Sequence, residues 1–271
     1  MSTSSTMVHT ERRDKVLEIT MDNPPVNAIG TEMTNGMYEA FSTLRDDPNL
    51  TVGLITGTGE KCFSAGWDLK EAAETFDGLD EPENMAMSPG GFAGFTEMWD
   101  LYKPVIAALN GHAIGGGLEV ALASDIILCV PETNIWLPEM QRGFLPDAGA
   151  VQRLPKKIPH NVALEMMYTG RRMDAEEALH WGLVHKILPR DELMDYARNM
   201  AVEISKGAPL ALQALKETFY GSSEMPVETA FDQMSRGKGT FPIYEAVLDS
   251  EDFKEGPKAF AEKRDPVWKG K

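Results

Sequence analysis

Asn110-Gly111-His112-Ala113-Ile114-Gly115-Gly116-Gly117-Leu118-Glu119-Val120-Ala121-Leu122-Ala123 follows the apolar, β-branched run Val105 to Leu109 and leads into a helix-forming stretch. A strand, a glycine turn and a helix start together place backbone N–H groups around an electron-rich atom. The plain alternative is a tight turn that lets the helix pack closely. Dinucleotide binding fits poorly: Val120 stands where the third glycine of that fingerprint belongs, and no charged ribose-binding residue is obvious about twenty positions on. Glu119 is the informative residue, an acid in the first turn of an otherwise apolar helix. A carboxyl there costs free energy unless it is paired or hydrogen-bonded, and burial pushes its pKa upward toward acid–base use.

Working outward, a second carboxyl lies twenty residues on in Trp136-Leu137-Pro138-Glu139-Met140. Pro138 keeps Leu137 extended, so Glu139 is expected to open a turn or helix, where a glutamate ordinarily serves as a cap or dipole partner. Two carboxyls in differing apolar surroundings can instead hold one proton between them, one acting as acid while the other is base. A second glycine-containing turn, Lys61-Cys62-Phe63-Ser64-Ala65-Gly66-Trp67-Asp68-Leu69-Lys70, also follows a strand, Val52 to Thr56. Ser64 lacks the first glycine of a nucleophile elbow, which weakens a hydrolase reading. The small residues there allow an N–H to face that of Gly116 as a two-donor oxyanion hole. His9, His112, His160, His180 and His185 form no HxxxH or HExxH set, so a metal centre has no support.

The remaining strands are expected at Val16 to Met21, Ile126 to Val130 and Leu183 to Leu188, alternating with helical segments in the manner of an α/β fold. Met33, Met37, Phe41 and Leu44 fall on one stripe of a helix after Gly30. Asp174 with Glu177 reads as a capping box. From Asp191 the pattern is nearly all helical, with Pro209 suited to a first turn. The expected organisation is a disordered tail over residues 1–11, an α/β core over 12–190 and a helical region over 191–271, packed as one folding unit. Asp77 to Gly94, with four glycines and two prolines, reads as a long loop or lid.

The 271 residues carry 42 acids against 26 bases, a net charge of −16. Such a surface repels phosphate backbones and anionic lipid, which argues against nucleic acid or membrane as the main partner, although a few lysines suffice to bind a phosphorylated small molecule. No run of apolar residues is long enough to span a bilayer, and the start lacks the apolar core of a signal peptide. Cys62 and Cys129 form no CxxC pair, so reduced thiols and a cytoplasmic location are expected.

In order, Phe63-Ser64-Ala65-Gly66-Trp67-Asp68-Leu69, Lys103-Pro104-Val105-Ile106-Ala107, Asn110-Gly111, Gly115-Gly116-Gly117-Leu118-Glu119, Pro138-Glu139, Gly143 with Pro146, and Arg153-Leu154-Pro155 resemble the signatures of the crotonase (enoyl-CoA hydratase/isomerase) superfamily. The resemblance runs from about Arg12 to the C-terminus. It implies a crotonase-like spiral of ββα turns followed by C-terminal helices that form a homotrimer, or a hexamer built as a dimer of trimers. It places oxyanion-hole amides at Trp67 and Gly116 and catalytic carboxyls at Glu119 and Glu139. It implies an acyl-CoA substrate, with coenzyme A as part of the thioester and no separate cofactor. Ala65, Asp68 and Lys70 are implied as CoA contacts, joined by Phe260 and Lys263 from a neighbouring subunit. Lys61, Lys70, Lys263 and Arg264 would supply the local positive field. Ala150 departs from the second glycine common at that position, which bears on the shape of the acyl pocket.

Trp67-Asp68-Leu69-Lys70, Pro89-Gly90-Gly91-Phe92-Ala93-Gly94, Ser223-Glu224-Met225-Pro226-Val227-Glu228 and the tail from Ala259 to Gly270 resemble the branch that dehydrates carnitinyl-CoA to crotonobetainyl-CoA. A general short-chain enoyl-CoA hydratase is the alternative. A trimethylammonium substrate needs aromatic faces or a carboxylate near its acyl tail. Trp67, Phe92, Trp99, Trp136, Phe144 and Asp147 are the candidates by loop position.

Overall fold

Alternating apolar runs fold into a coil in which each turn gives one strand to a large sheet and one to a small sheet before entering a helix. Val52–Gly57, Cys62–Ser64 and Leu69–Phe76 make one turn; Val105–Leu109, His112–Ile114 and Gly116–Ala123 make the next. Ile126–Cys129 and Asn134–Trp136 follow, leading to a 3-10 turn at Glu139–Arg142 and a helix at Ala150–Lys157. The computed structural model describes residues 6–76 and 87–271. Of the expected Asp77 to Gly94 loop, residues 77–86 therefore lie outside the described residues, while Met87–Ser88 pairs antiparallel with Gly91–Phe92.

The large sheet has six strands in the order Val8–Arg13, Val16–Met21, Val52–Gly57, Val105–Leu109, Ile126–Cys129, Lys186–Ile187. Only its first pair is antiparallel. Both faces are covered, which is why the central strands read as unbroken apolar runs instead of alternating. Ile55 and Ala107 point into one core, with Met33, Met37, Phe41 and Leu44 of the helix Thr31–Asp46. Leu54 and Ile106 point into the other, against Leu193, Ala197 and Ala201 of the helix Arg190–Ser205.

The expected strands and helices correspond to observed ones, with three differences. The tail expected to be disordered over residues 1–11 contributes Val8–Arg13, which pairs with Val16–Met21; its mostly exposed side chains left no apolar pattern to read. The expected strand Leu183 to Leu188 shortens to Lys186–Ile187, because Leu183 and Val184 turn into the core. The capping box is half made. Glu177 N donates to Asp174 Oδ1 at 2.8 Å, but the Glu177 carboxylate accepts from Arg171 at 2.7 and 2.8 Å instead of returning to the cap. The helix Pro209–Ser222 does begin at Pro209. No described helix is long and apolar enough to cross a membrane.

Candidate active site

Three corresponding corners of the coil, each just past a strand of the small sheet, carry the residues that the sequence singled out. That sheet pairs Cys62–Ser64, His112–Ile114 and Asn134–Trp136 in parallel. Its register sets Ala113 beside Ile135 and Ile114 beside Trp136. Gly115 N then donates to Trp136 O at 2.9 Å, so the chain around Gly115 lies beside the chain approaching Glu139. Twenty residues of separation between the two glutamates close through this one strand pair.

Gly115 is the hinge of the arrangement. Its φ of +53° is in the left-handed region, and a Cβ there would come 2.5 Å from Glu139 Oε1. Only glycine combines that backbone with that approach. Its carbonyl accepts from Glu119 N at 3.1 Å, so both acids are organised about one residue. At the neighbouring corner, Gly66 has φ +80°, and a Cβ would sit 2.7 Å from Gly116 N. The Gly66-Trp67 and Gly115-Gly116 turns are thus in backbone contact. Gly116 opens its helix, where N–H groups lack intrahelical acceptors.

The corner before Trp67 is tied down by side chains. Ser64 Oγ donates to Asn27 O at 2.6 Å and accepts from Gly66 N at 3.0 Å, commitments that leave it a structural hydroxyl and not a nucleophile. Asn27, which the sequence did not flag, is buried at φ +52° and donates through Nδ2 to the carbonyls of Thr58, Cys62 and Phe63. Asp68 Oδ1 accepts from Lys70 N and Glu71 N at 3.0 and 3.3 Å, capping Leu69–Phe76. The Glu71 carboxylate in turn accepts from Thr31 N at 2.9 Å, capping a helix whose own N-cap, Gly30, has no side chain.

Glu119 is 3% exposed and Glu139 5%. Burial pushes Glu119 up to about 8; the Ala150 amide, 2.9 Å from Oε1, and Arg153 pull the other way, while the charges of Glu139 and Asp147 add to the rise. Burial likewise pushes Glu139 up to about 7, opposed by Arg142 and reinforced by Asp147. Glu139 Oε2 is buried and has no hydrogen-bond partner among the described residues. An orphaned carboxylate oxygen of that kind is costly in a folded protein unless something else is meant to meet it.

Trp67, Gly116, Glu119 and Glu139 therefore share one neighbourhood, with half-buried Ala65 and exposed Lys70 flanking the first corner. Phe260 is 86% exposed, and among the described residues no hydrogen bond or ring contact joins Phe260 or Lys263 to Ala65, Asp68 or Lys70. Arg264 is held by Glu255 and Glu262. The departure at Ala150 proves benign for Glu119, since what reaches that carboxyl is the backbone N–H.

Fold and site together define a crotonase-type chain. A model of the enoyl-CoA hydratase/isomerase family matches residues 11–271, and the chain belongs to that family. Carnitinyl-CoA dehydratases of Salmonella paratyphi A and Salmonella agona are 52% identical over 267 residues, covering 98% of this chain and all of theirs. Among solved structures, an enoyl-CoA hydratase from Mycobacterium tuberculosis H37Rv is 35% identical with a TM-score of 0.87, covering 98% of this chain and 99% of its own. One from Bacillus anthracis is 31% identical with a TM-score of 0.86, covering 98% and 100%.

Proposed function

We propose that this chain is a hydro-lyase that interconverts carnitinyl-CoA and crotonobetainyl-CoA. The single observation that carries the chemistry is the pair of buried glutamates, both raised toward neutral pH and organised about Gly115. Adding or removing water across a C–C bond needs one proton donor and one acceptor at once. The identity to carnitinyl-CoA dehydratases favours that acyl group over the straight-chain substrate of a general hydratase, whose solved representatives are less similar.

The thioester oxygen accepts hydrogen bonds from the amides of Trp67 and Gly116, which stabilise negative charge as it develops there. Glu139, the less raised acid, is ionised and takes the Cα proton through its unpartnered oxygen. The freed electron pair passes into the enolate and then forms the Cα–Cβ double bond as the Cβ–O bond breaks. Glu119, the more raised acid, is protonated and delivers its proton to the departing hydroxyl, releasing water. Hydration runs the same steps backward. Ala65 and Lys70 contact the coenzyme A portion, and Asp68 supports them through the turn that it caps. Phe260 and Lys263 reach that coenzyme A from a neighbouring copy in a homotrimer, or in a dimer of trimers. Both cysteines are buried and unbridged, in keeping with a cytoplasmic location.

Turnover of a short panel of acyl-CoAs tests the assignment. Crotonobetainyl-CoA is expected to be hydrated with a higher kcat/KM than crotonyl-CoA. The reverse order would make the chain a general short-chain hydratase.

A further inference from the structure

Resting on the hydro-lyase reaction proposed above, we infer that Arg153 is a positioning residue: its guanidinium holds the backbone strap that orients the Glu119 carboxyl and ties that strap to the segment packed on Gly116.

The strap runs from Phe144 to Ala150. At one end Phe144 N donates to Glu139 O at 3.3 Å, and at the other Ala150 N donates to Glu119 Oε1 at 2.9 Å. That amide makes the one hydrogen bond of the Glu119 carboxyl among the described residues, so the strap decides where the acid points. Gly149, just before it, has φ +122° and lies so close to the guanidinium that a Cβ there would overlap Arg153 Nη1. Nη1 donates to Ala148 O at 3.4 Å and Arg153 N to Gly149 O at 2.9 Å. One residue thus grips the two positions that precede Ala150, through its side chain and its backbone.

The other arm of the fork, Nη2, donates to Thr96 O at 2.5 Å, and the Trp99 ring lies 5.5 Å from the guanidinium. Thr96 bonds back to Phe92 O through its N and Oγ1 at 3.3 and 3.0 Å. The Phe92 ring rests on Gly116, where a Cβ would come 2.5 Å from Cε1. The fork therefore spans two walls of the site, one holding Glu119 and the other packed on Gly116. Arg153 is half-buried and forms no salt bridge among the described residues. A planar guanidinium can hold two diverging carbonyls at once, which a lysine ammonium on its flexible stem does less well. Its charge also faces Glu119, as do those of Glu139 and Asp147, and opposes the rise that burial imposes.

Hydration of crotonobetainyl-CoA and of crotonyl-CoA by Arg153→Gln, Glu119→Gln and the double variant tests this role. In Arg153→Gln, kcat is expected to fall about ten- to a hundredfold while KM changes by less than about twofold. The falling limb of kcat/KM, near 8 in the wild type, should move alkaline, because Glu119 loses both the oriented amide and the facing charge. In the Glu119→Gln background the same substitution should cost almost nothing further. Arg153→Lys, which keeps the charge and gives up the fork, is expected to lose part of kcat, again only while Glu119 is present, and carries the test should Arg153→Gln not fold. Equal losses in the two backgrounds, or an unmoved limb in Arg153→Gln, would overturn the positioning role and leave the proposed reaction standing. A wild type that hydrates neither substrate would sink the reaction and this role together.

Discussion

The α/β coil and the C-terminal helices solve the burial problem in opposite ways. In the coil, Val52–Gly57 and Val105–Leu109 are buried along their whole length, and the site corners rest on them. The helices Val227–Gln233 and Pro242–Asp249 bury no residue, and Phe219 and Phe231 are 64% and 74% exposed. Polar contacts, not a core, hold this region to the body. Lys216 Nζ and Tyr220 OH donate to Asp125 at 2.8 and 2.9 Å, while within the region the Glu217 carboxylate accepts from Ile243 N and Tyr244 N and ties two of the helices together. Directional contacts position the helices without covering their apolar side chains, and large exposed apolar patches mark surfaces that meet a partner. The coil carries the paired glutamates; the helices leave apolar side chains uncovered.

Substitutions at the site should break one half of that contrast alone. Glu119→Gln is expected to lower turnover by roughly 10²–10⁴-fold, the usual worth of a positioned acid or base. It should also stabilise the fold at alkaline pH. Glu119 is raised from 4.5 to about 8 in the native state, so between those values the folded chain binds more protons there than the unfolded one. Stability is therefore lost as pH rises through that window, and the amide escapes the loss. Thermal unfolding should show a Tm gain for Glu119→Gln that is larger above pH 8 than near pH 5; an equal gain at both would refute the burial account.

Lysine at Phe219 and Phe231 should break the other half. Sedimentation is expected to show the wild type as a multimer and the double variant as a smaller species, with activity reduced less than by Glu119→Gln. A double variant of unchanged mass would mean that these helices do not carry the interface.

Much of this site was legible because its residues violate their surroundings. An acid inside Leu118-Glu119-Val120-Ala121 and glycines at strand ends are local signals. What brings Glu119 to Glu139 is not local. It is a register between strands of three residues each, too short to show a period, and nothing in either strand names its partner. Asn27 escaped for a similar reason: a loop asparagine at positive φ looks like any turn residue until the carbonyls that it gathers are in place. The exposed first strand, Val8–Arg13, left almost no apolar trace.

The pH dependence of kcat/KM tests the shared proton most directly. With Glu139 raised to about 7 and Glu119 to about 8, the pair is predicted to give a bell with limbs near those values, and Glu139→Gln should abolish the rising limb along with most of the activity. A profile that stays flat across that range, or a Glu139→Gln enzyme that keeps both limbs at near wild-type rate, would contradict the account.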